Sequence, residues 1–269
     1  MTRIAFDCFP GGRRKALTLS YDDGTAHDRR LVAILNRSGI RATFNLNSGR
    51  LDQEGFLASA EVAALFAGHA VAAHTVNHPC LSHLSREGVL TEVVEDRRAL
   101  ERLVGYPVRG LAYPGGDYDE AVVAMLPSLG VEYSRTAQQA ASFGVSHDFL
   151  RWPFSCHHND CLERGQKFLA VSPLWGLQLL HVMGHSFEFE RADNWEIIEE
   201  FCSIVGGNAD IWYATNIEIV DYLRAARAVR SSVDGTMLYN SSGLEVWFCI
   251  GSLDQGTFGS IGPGATLRL

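Results

Sequence analysis

No stretch of this chain runs apolar for the roughly 18 residues that a membrane-spanning helix requires, so no such helix is expected. Positive charge is also scarce. Lys and Arg number 23 against 31 Asp and Glu, leaving a formal net charge of -8. Nucleic acid and anionic lipid surfaces both attract basic proteins, so neither is expected as a partner. Met1 to Gly12 contains no apolar core of a secretory leader, which points to the cytoplasm. Cysteines are few and irregularly spaced, at positions 8, 80, 156, 161, 202 and 249, and read as reduced thiols rather than a disulfide framework. The Cys156-His157-His158-Asn159-Asp160-Cys161 cluster could hold a separate structural zinc, although no second pair matches it. No internal repeat is visible.

What is present is ordinary globular composition, 46% hydrophobic and 20% charged over 269 residues, the size of one large α/β domain. Short apolar runs alternate with helical patterns. Strands are expected at 16–20, 42–45, 70–73, 110–113, 131–134, 149–152, 178–182 and 211–213. Helices are expected near 28–37, 61–67, 85–104, 117–128, 161–170, 194–205 and 216–227. Such alternation implies parallel strands covered by helices. The expected fold is α/β, a distorted (β/α) barrel of seven or eight strands over residues 1–230. After Arg230 the pattern becomes strands at 236–239, 245–250 and 265–269 with Gly- and Ser-rich turns. A small β appendage over 231–269, packed on the barrel, is expected there. Its edge strands could pair with a second copy into a homo-oligomer.

The chemistry-bearing residues fall at strand ends, where parallel barrels place their active groups. Leu17 and Leu19 alternate with Thr18 and Ser20, and the strand stops at Asp22-Asp23-Gly24. Adjacent carboxylates are costly to bury without a metal or a proton. By itself the stretch reads more readily as a solvated turn. The third strand runs into His74-Thr75-Val76-Asn77-His78. On a helical turn, that spacing puts both rings on one side, where they can share an ion with Asp23. Surface histidines are the alternative. The fourth strand stops at Pro114-Gly115-Gly116, and the strand after residue 177 ends between His181 and His185.

Ser20-Tyr21-Asp22-Asp23-Gly24 followed by His74-Thr75-Val76-Asn77-His78 resembles the first two motifs of the polysaccharide deacetylases, the NodB-homology or carbohydrate esterase family 4 group. The resemblance covers residues 15–225. It implies a metal-dependent hydrolase, usually with zinc, removing acetyl groups from N- or O-acetylated sugars. By it, Asp22 is the catalytic base, and Asp23, His74 and His78 are the metal ligands. Gly115 falls where the family offers a backbone N–H to the oxyanion. Asp148 and Trp152 match the groove-lining fourth motif, with Tyr113 a further candidate for contact with substrate. Trp152 reads equally as a core aromatic. Leu180-His181 resembles the fifth motif, which makes His181 a candidate general acid. Gly184-His185-Ser186-Phe187-Glu188 resembles a segment of one subgroup, which makes His185 the preferred one. Gly184 is expected to bend the chain, and Glu188 or Asp148 to orient the ring. The third motif departs from the family. Ala112 stands where an Arg often orients the base, and Arg109 faces the other side of its strand, so that role has no residue. Two alternatives stay open: a metal-dependent amidohydrolase acting on a small amide, ureide or imide, and a catalytically silent carbohydrate-binding barrel.

Overall fold

The computed structural model describes residues 4–172, 176–251 and 256–269. The strands, in order, are β1 (Ile4–Ala5), β2 (Lys15–Asp23), β3 (Ala42–Leu46), β4 (Ala70–Ala73), β5 (Gly110–Ala112), β6 (Tyr133–Gln139), β7 (Trp152–Phe154), β8 (Cys156–His157), β9 (Gln178–Gly184), β10 (Ile211–Tyr213), β11 (Arg230–Ser231), β12 (Met237–Tyr239), β13 (Val246–Ile250), β14 (Thr257–Ile261) and β15 (Thr266–Arg268). The helices are α1 (Asp28–Arg37), α2 (Val62–Leu65), α3 (Arg86–Val104), α4 (Glu120–Met125), α5 (Cys161–Ala170), α6 (Ser186–Ala192), α7 (Glu196–Val205) and α8 (Asn216–Ala228).

Strands β2 to β9 form one parallel sheet in the order β7-β6-β5-β4-β3-β2-β9-β8, with β10 paired to the lower half of β2. Between β7 and β8, the Ser155 N–H donates to the His181 carbonyl, which nearly closes the ring. This is the expected distorted (β/α) barrel. The period-2 alternation of β2 explains how it is filled. Leu17, Leu19 and Tyr21 join the apolar layer beneath the helices, with Leu31, Leu35, Val93, Leu100 and Phe201. Ala16 joins the inner layer with Ala72, Tyr133, Trp152 and Leu179. Thr18, Ser20 and Asp22 alternate with the outward leucines, so the inward row becomes polar toward the strand's C-terminal end. Helix α3 begins at Ser85, whose Oγ accepts from Gly88 N–H, and stops at Gly105 in a left-handed conformation.

Beyond α8 the described residues contain strands and no helix. They form two three-stranded antiparallel sheets, β11-β12-β15 and β1-β13-β14. Leu238, Val246, Phe248 and Ile261 pack on Ala225 and Ala226 of α8. Strand β14 lies in a Gly- and Ser-containing segment that the sequence reading passed over as a turn. Two further additions are β11, which pairs with β12, and β1, through which the chain's N-terminal end completes the second small sheet. No helix among the described residues is long and apolar enough to cross a membrane.

Candidate active site

Asp22, Asp23, His74, His78 and His185 converge at the C-terminal ends of the barrel strands. Asp22 ends the inward row of β2 and is buried. Asn45 of β3 donates to its Oδ1 at 2.8 Å, and the Arg135 guanidinium of β6 donates to its Oδ2. Burial alone would raise this carboxyl. The Arg135 charge outweighs it, with help from His74, His185 and Asn45, and holds the pKa down at about 2.

Asp23 Oδ1 lies 3.8 Å from both His74 Nε2 and His78 Nε2. Asp23 Oδ1 and His74 Nε2 are buried and have no hydrogen-bond partner. His74 Nδ1 is 2.8 Å from the Ala112 carbonyl, an acceptor, so Nδ1 carries the proton and the Nε2 lone pair faces Asp23. Arg50 Nη1 also stands 3.8 Å from Asp23 Oδ1. The two imidazole nitrogens and the carboxylate face one point and fit a divalent ion, with Arg50 as the neighbouring cation.

The loop that carries these ligands is not helical, contrary to the helical-turn reading of His74-x-x-x-His78. Asp23, Thr75 and His78 are three of the five non-glycine residues with positive φ among the described residues, at 81°, 68° and 61°. Each such conformation costs on the order of 1–3 kcal/mol unless the surroundings enforce it. Helix α3 provides the enforcement. Buried Asp96 accepts from the N–H groups of Ser48 and His74, at 2.7 and 2.9 Å. Glu92 accepts from Asn77 N–H at 2.9 Å, and Asn47 donates to the Thr75 carbonyl at 3.0 Å.

Arg135 is the residue of the candidate site that sequence reasoning missed. It pairs in register with Ala112, the position left without an arginine. The guanidinium has moved one strand along the barrel at the same level and still reaches Asp22. A signal was available: a lone Arg in an otherwise uncharged strand segment, Tyr133 to Gln139, requires a buried anion. Arg109 instead pairs with Asp221 and Glu132 on the outer side.

His185 follows β9 and precedes α6, a short helix not expected from the sequence. Its Nε2 is 4.0 Å from Asp22 Oδ2, and its Nδ1 is 3.3 Å from Glu188 Oε2. Burial lowers the His185 pKa, but the Glu188 carboxylate and the Asp22 charge outweigh it and raise it above the ordinary value. His181 lies lower in β9, buried with its ring 4.9 Å from Trp152. Burial and the Arg135 charge push it down to about 3, so it is neutral. Gly184 does not bend the chain as expected, since it is the last residue of β9. Its role is space: a Cβ there would lie 2.0 Å from His158 Nδ1.

The substrate-contact expectations need correction. Trp152 is 1% exposed and packs edge-on against Tyr133 and Phe149, so the core alternative describes it. Tyr113 is equally buried, with its hydroxyl donating to the Leu150 carbonyl. The motif spacing that places Trp152 does not reveal which face of the strand points inward. Asp148 pairs with Arg151 at 2.7 Å and does not orient His185. Gly115 sits in a left-handed turn just after β5, three residues past the Ala112 carbonyl that holds His74. Cys156 and Cys161 are buried in the outer core with raised pKa values, which suits apolar packing better than a structural zinc. The cavities of about 600 and 560 Å³ lie elsewhere, near the N-terminal ends of β2 and β9.

Comparison with known proteins agrees with this geometry. Residues 10–134 match the family described as polysaccharide deacetylase, as the motifs implied. Chitin deacetylase 1 of Cryptococcus neoformans is 27% identical over 139 residues, 51% of this chain and 29% of that protein, so the match spans under a third of the relative's length. A putative polysaccharide deacetylase from Mycobacterium smegmatis superposes with a TM-score of 0.62 at 18% identity, covering 81% of this chain and 93% of that one. A family 4 carbohydrate esterase from Streptomyces lividans, solved with acetate, gives 0.53 at 16% identity, covering 75% and 93%. These two structural likenesses concern the fold.

Proposed function

We propose that the chain is a metal-dependent hydrolase that removes acetyl groups from N-acetylated or O-acetylated sugars. The observation that carries the reading is the pairing of an ionised, arginine-held Asp22 with the converging Asp23/His74/His78 set beside it. A divalent ion held by those three residues, zinc by donor type, supplies Lewis acidity toward a carbonyl oxygen and lowers the pKa of water. Asp22 then takes the proton from the attacking water. Arg135 and Asn45 fix its carboxylate so that one oxygen faces the reacting centre. The N–H of Gly115 donates to the developing oxyanion. His185 delivers a proton through Nε2 to the leaving nitrogen, because an amide C–N bond does not break while nitrogen must leave as an anion. Glu188 keeps that ring protonated.

A second reading keeps the chemistry and changes the substrate to a small amide, ureide or imide. The burial of Tyr113 and Trp152 favours it, since neither ring is free to stack on a sugar.

Acetate release from N-acetylated chitooligosaccharides and from small N-acetyl compounds tests the proposal. The wild-type chain should release acetate. Asp22→Asn should retain its metal and lose about 10²–10⁴-fold in rate. A near wild-type rate for Asp22→Asn would overturn the base assignment, and activity on small amides alone would select the second reading.

A further inference from the structure

We propose a second divalent-cation site at the rim of the barrel, built from His157, His185 and Glu188. His157 ends β8, His185 precedes α6, and Glu188 lies in the first turn of that helix. Glu188 Oε2 is 3.0 Å from His157 Nε2 and 3.3 Å from His185 Nδ1. One ligand-type atom from each residue lies within 4.8 Å of the others. Around zinc with Zn–N and Zn–O bonds of about 2.0–2.1 Å, tetrahedral ligand atoms stand about 3.3 Å apart. Two edges of this triangle already match that spacing. The third closes by rotation of side chains that are 27%, 26% and 21% exposed, so an ion can reach them from solvent.

Two details point to a ligand rather than a closed hydrogen-bond network. His185 Nδ1 is a buried atom with no hydrogen-bond partner, although Glu188 is close. Glu188 also has little other cationic support: Arg191 Nη2 is 4.0 Å away, and His158, 3.4 Å away through Nε2, is held neutral by burial. His158 is stacked against Phe189 at 4.0 Å and sealed from solvent, so it backs the site without entering it. One contact weakens the site. His157 Nδ1 accepts from Asn159 N–H at 3.3 Å, which leaves the ring proton on Nε2. Ligation through Nε2 moves that proton to Nδ1 and gives up the Asn159 contact. The second ion should therefore bind more weakly than the one at Asp23, His74 and His78.

The consequence rests on the reading of His185 as the general acid. A ring ligated through Nδ1 cannot also be an imidazolium, so its remaining Nε2–H belongs to a neutral ring and is far too weak an acid to protonate the leaving nitrogen. Excess metal should then inhibit the enzyme that a first equivalent activates.

The test is equilibrium dialysis of the full chain against increasing Zn²⁺, with elemental analysis and a circular-dichroism check of folding. Wild type should bind two ions, and both His157→Ala and Glu188→Gln one, with the tighter ion retained. His74→Ala should lose the tighter ion and keep the weaker. Saturation of wild type at one ion, or two ions in both rim variants, overturns the site. If Asp23→Asn still binds as many ions as wild type, the first-site reading fails while the rim site stands. Inhibition by excess Zn²⁺ that is as strong in His157→Ala as in wild type would overturn the consequence.

Discussion

Asp22 is buried, yet it keeps its charge because the Arg135 guanidinium lies against it. With a folded pKa of about 2, below the usual carboxylate value of about 3.9, the pair stabilises the fold fully above that usual value. The stabilisation is lost as pH falls through about 2. Replacing Arg135 with Gln leaves Asp22 with burial and without its largest compensating charge, so its pKa should rise. The acid limb of kcat/KM should therefore move to higher pH in Arg135→Gln, with a loss of stability of about 3–5 kcal/mol, as when one partner of a buried ion pair is removed. An unshifted acid limb in a pH-rate profile would show that Arg135 does not set the base. The two histidines of the β9 segment separate by leaving group. His185→Ala should slow an amide far more than an activated aryl acetate, because an aryl oxide leaves without a proton. His181→Ala should slow both alike, through packing against Trp152. Assay of the pair on both substrates decides it, and a selective loss in His181→Ala would reverse the assignment.

At the scale of the element, the site depends on how β9 hands over to α6. Gly184 leaves room for the His158 ring, which stacks on Tyr21 and Phe189 beneath the rim. In Gly184→Ala the added methyl meets that ring, and overpacking of this kind costs about 1–3 kcal/mol. A lowered denaturation midpoint with His185 displaced is the expected result; unchanged stability would mean that the ring has another place to go. Helix α3 was legible because the Ser85 cap, the apolar stripe and the Gly105 stop agree there. The ligand loop 74–78 was legible in its residues and not in its shape, because its conformation is imposed by Asp96 and Glu92, far along the chain on α3. The signal of Arg135 was easily missed, because its partner lies 113 positions away and its own strand was expected to stop at Ser134. Tyr113 and Trp152 were misplaced for a related reason. Spacing locates a residue on a strand, while barrel closure decides whether its side chain is sealed in.

For the whole molecule, a single sheet places carboxylates from β2, histidines from the loop after β4, an arginine from β6 and a histidine after β9 around one point. None of these groups is unusual alone, and their convergence is what gives the barrel a chemistry. The account centres on an ion held by Asp23, His74 and His78 on which hydrolysis depends. The most direct measurement follows tightly bound metal and acetate release together in chain carrying both His74→Ala and His78→Ala, against wild type. The account predicts about one tight ion per chain and turnover in wild type, with both lost in the double variant while its circular-dichroism spectrum is kept. A folded double variant that retains the tight ion, or that releases acetate at the wild-type rate, would contradict it.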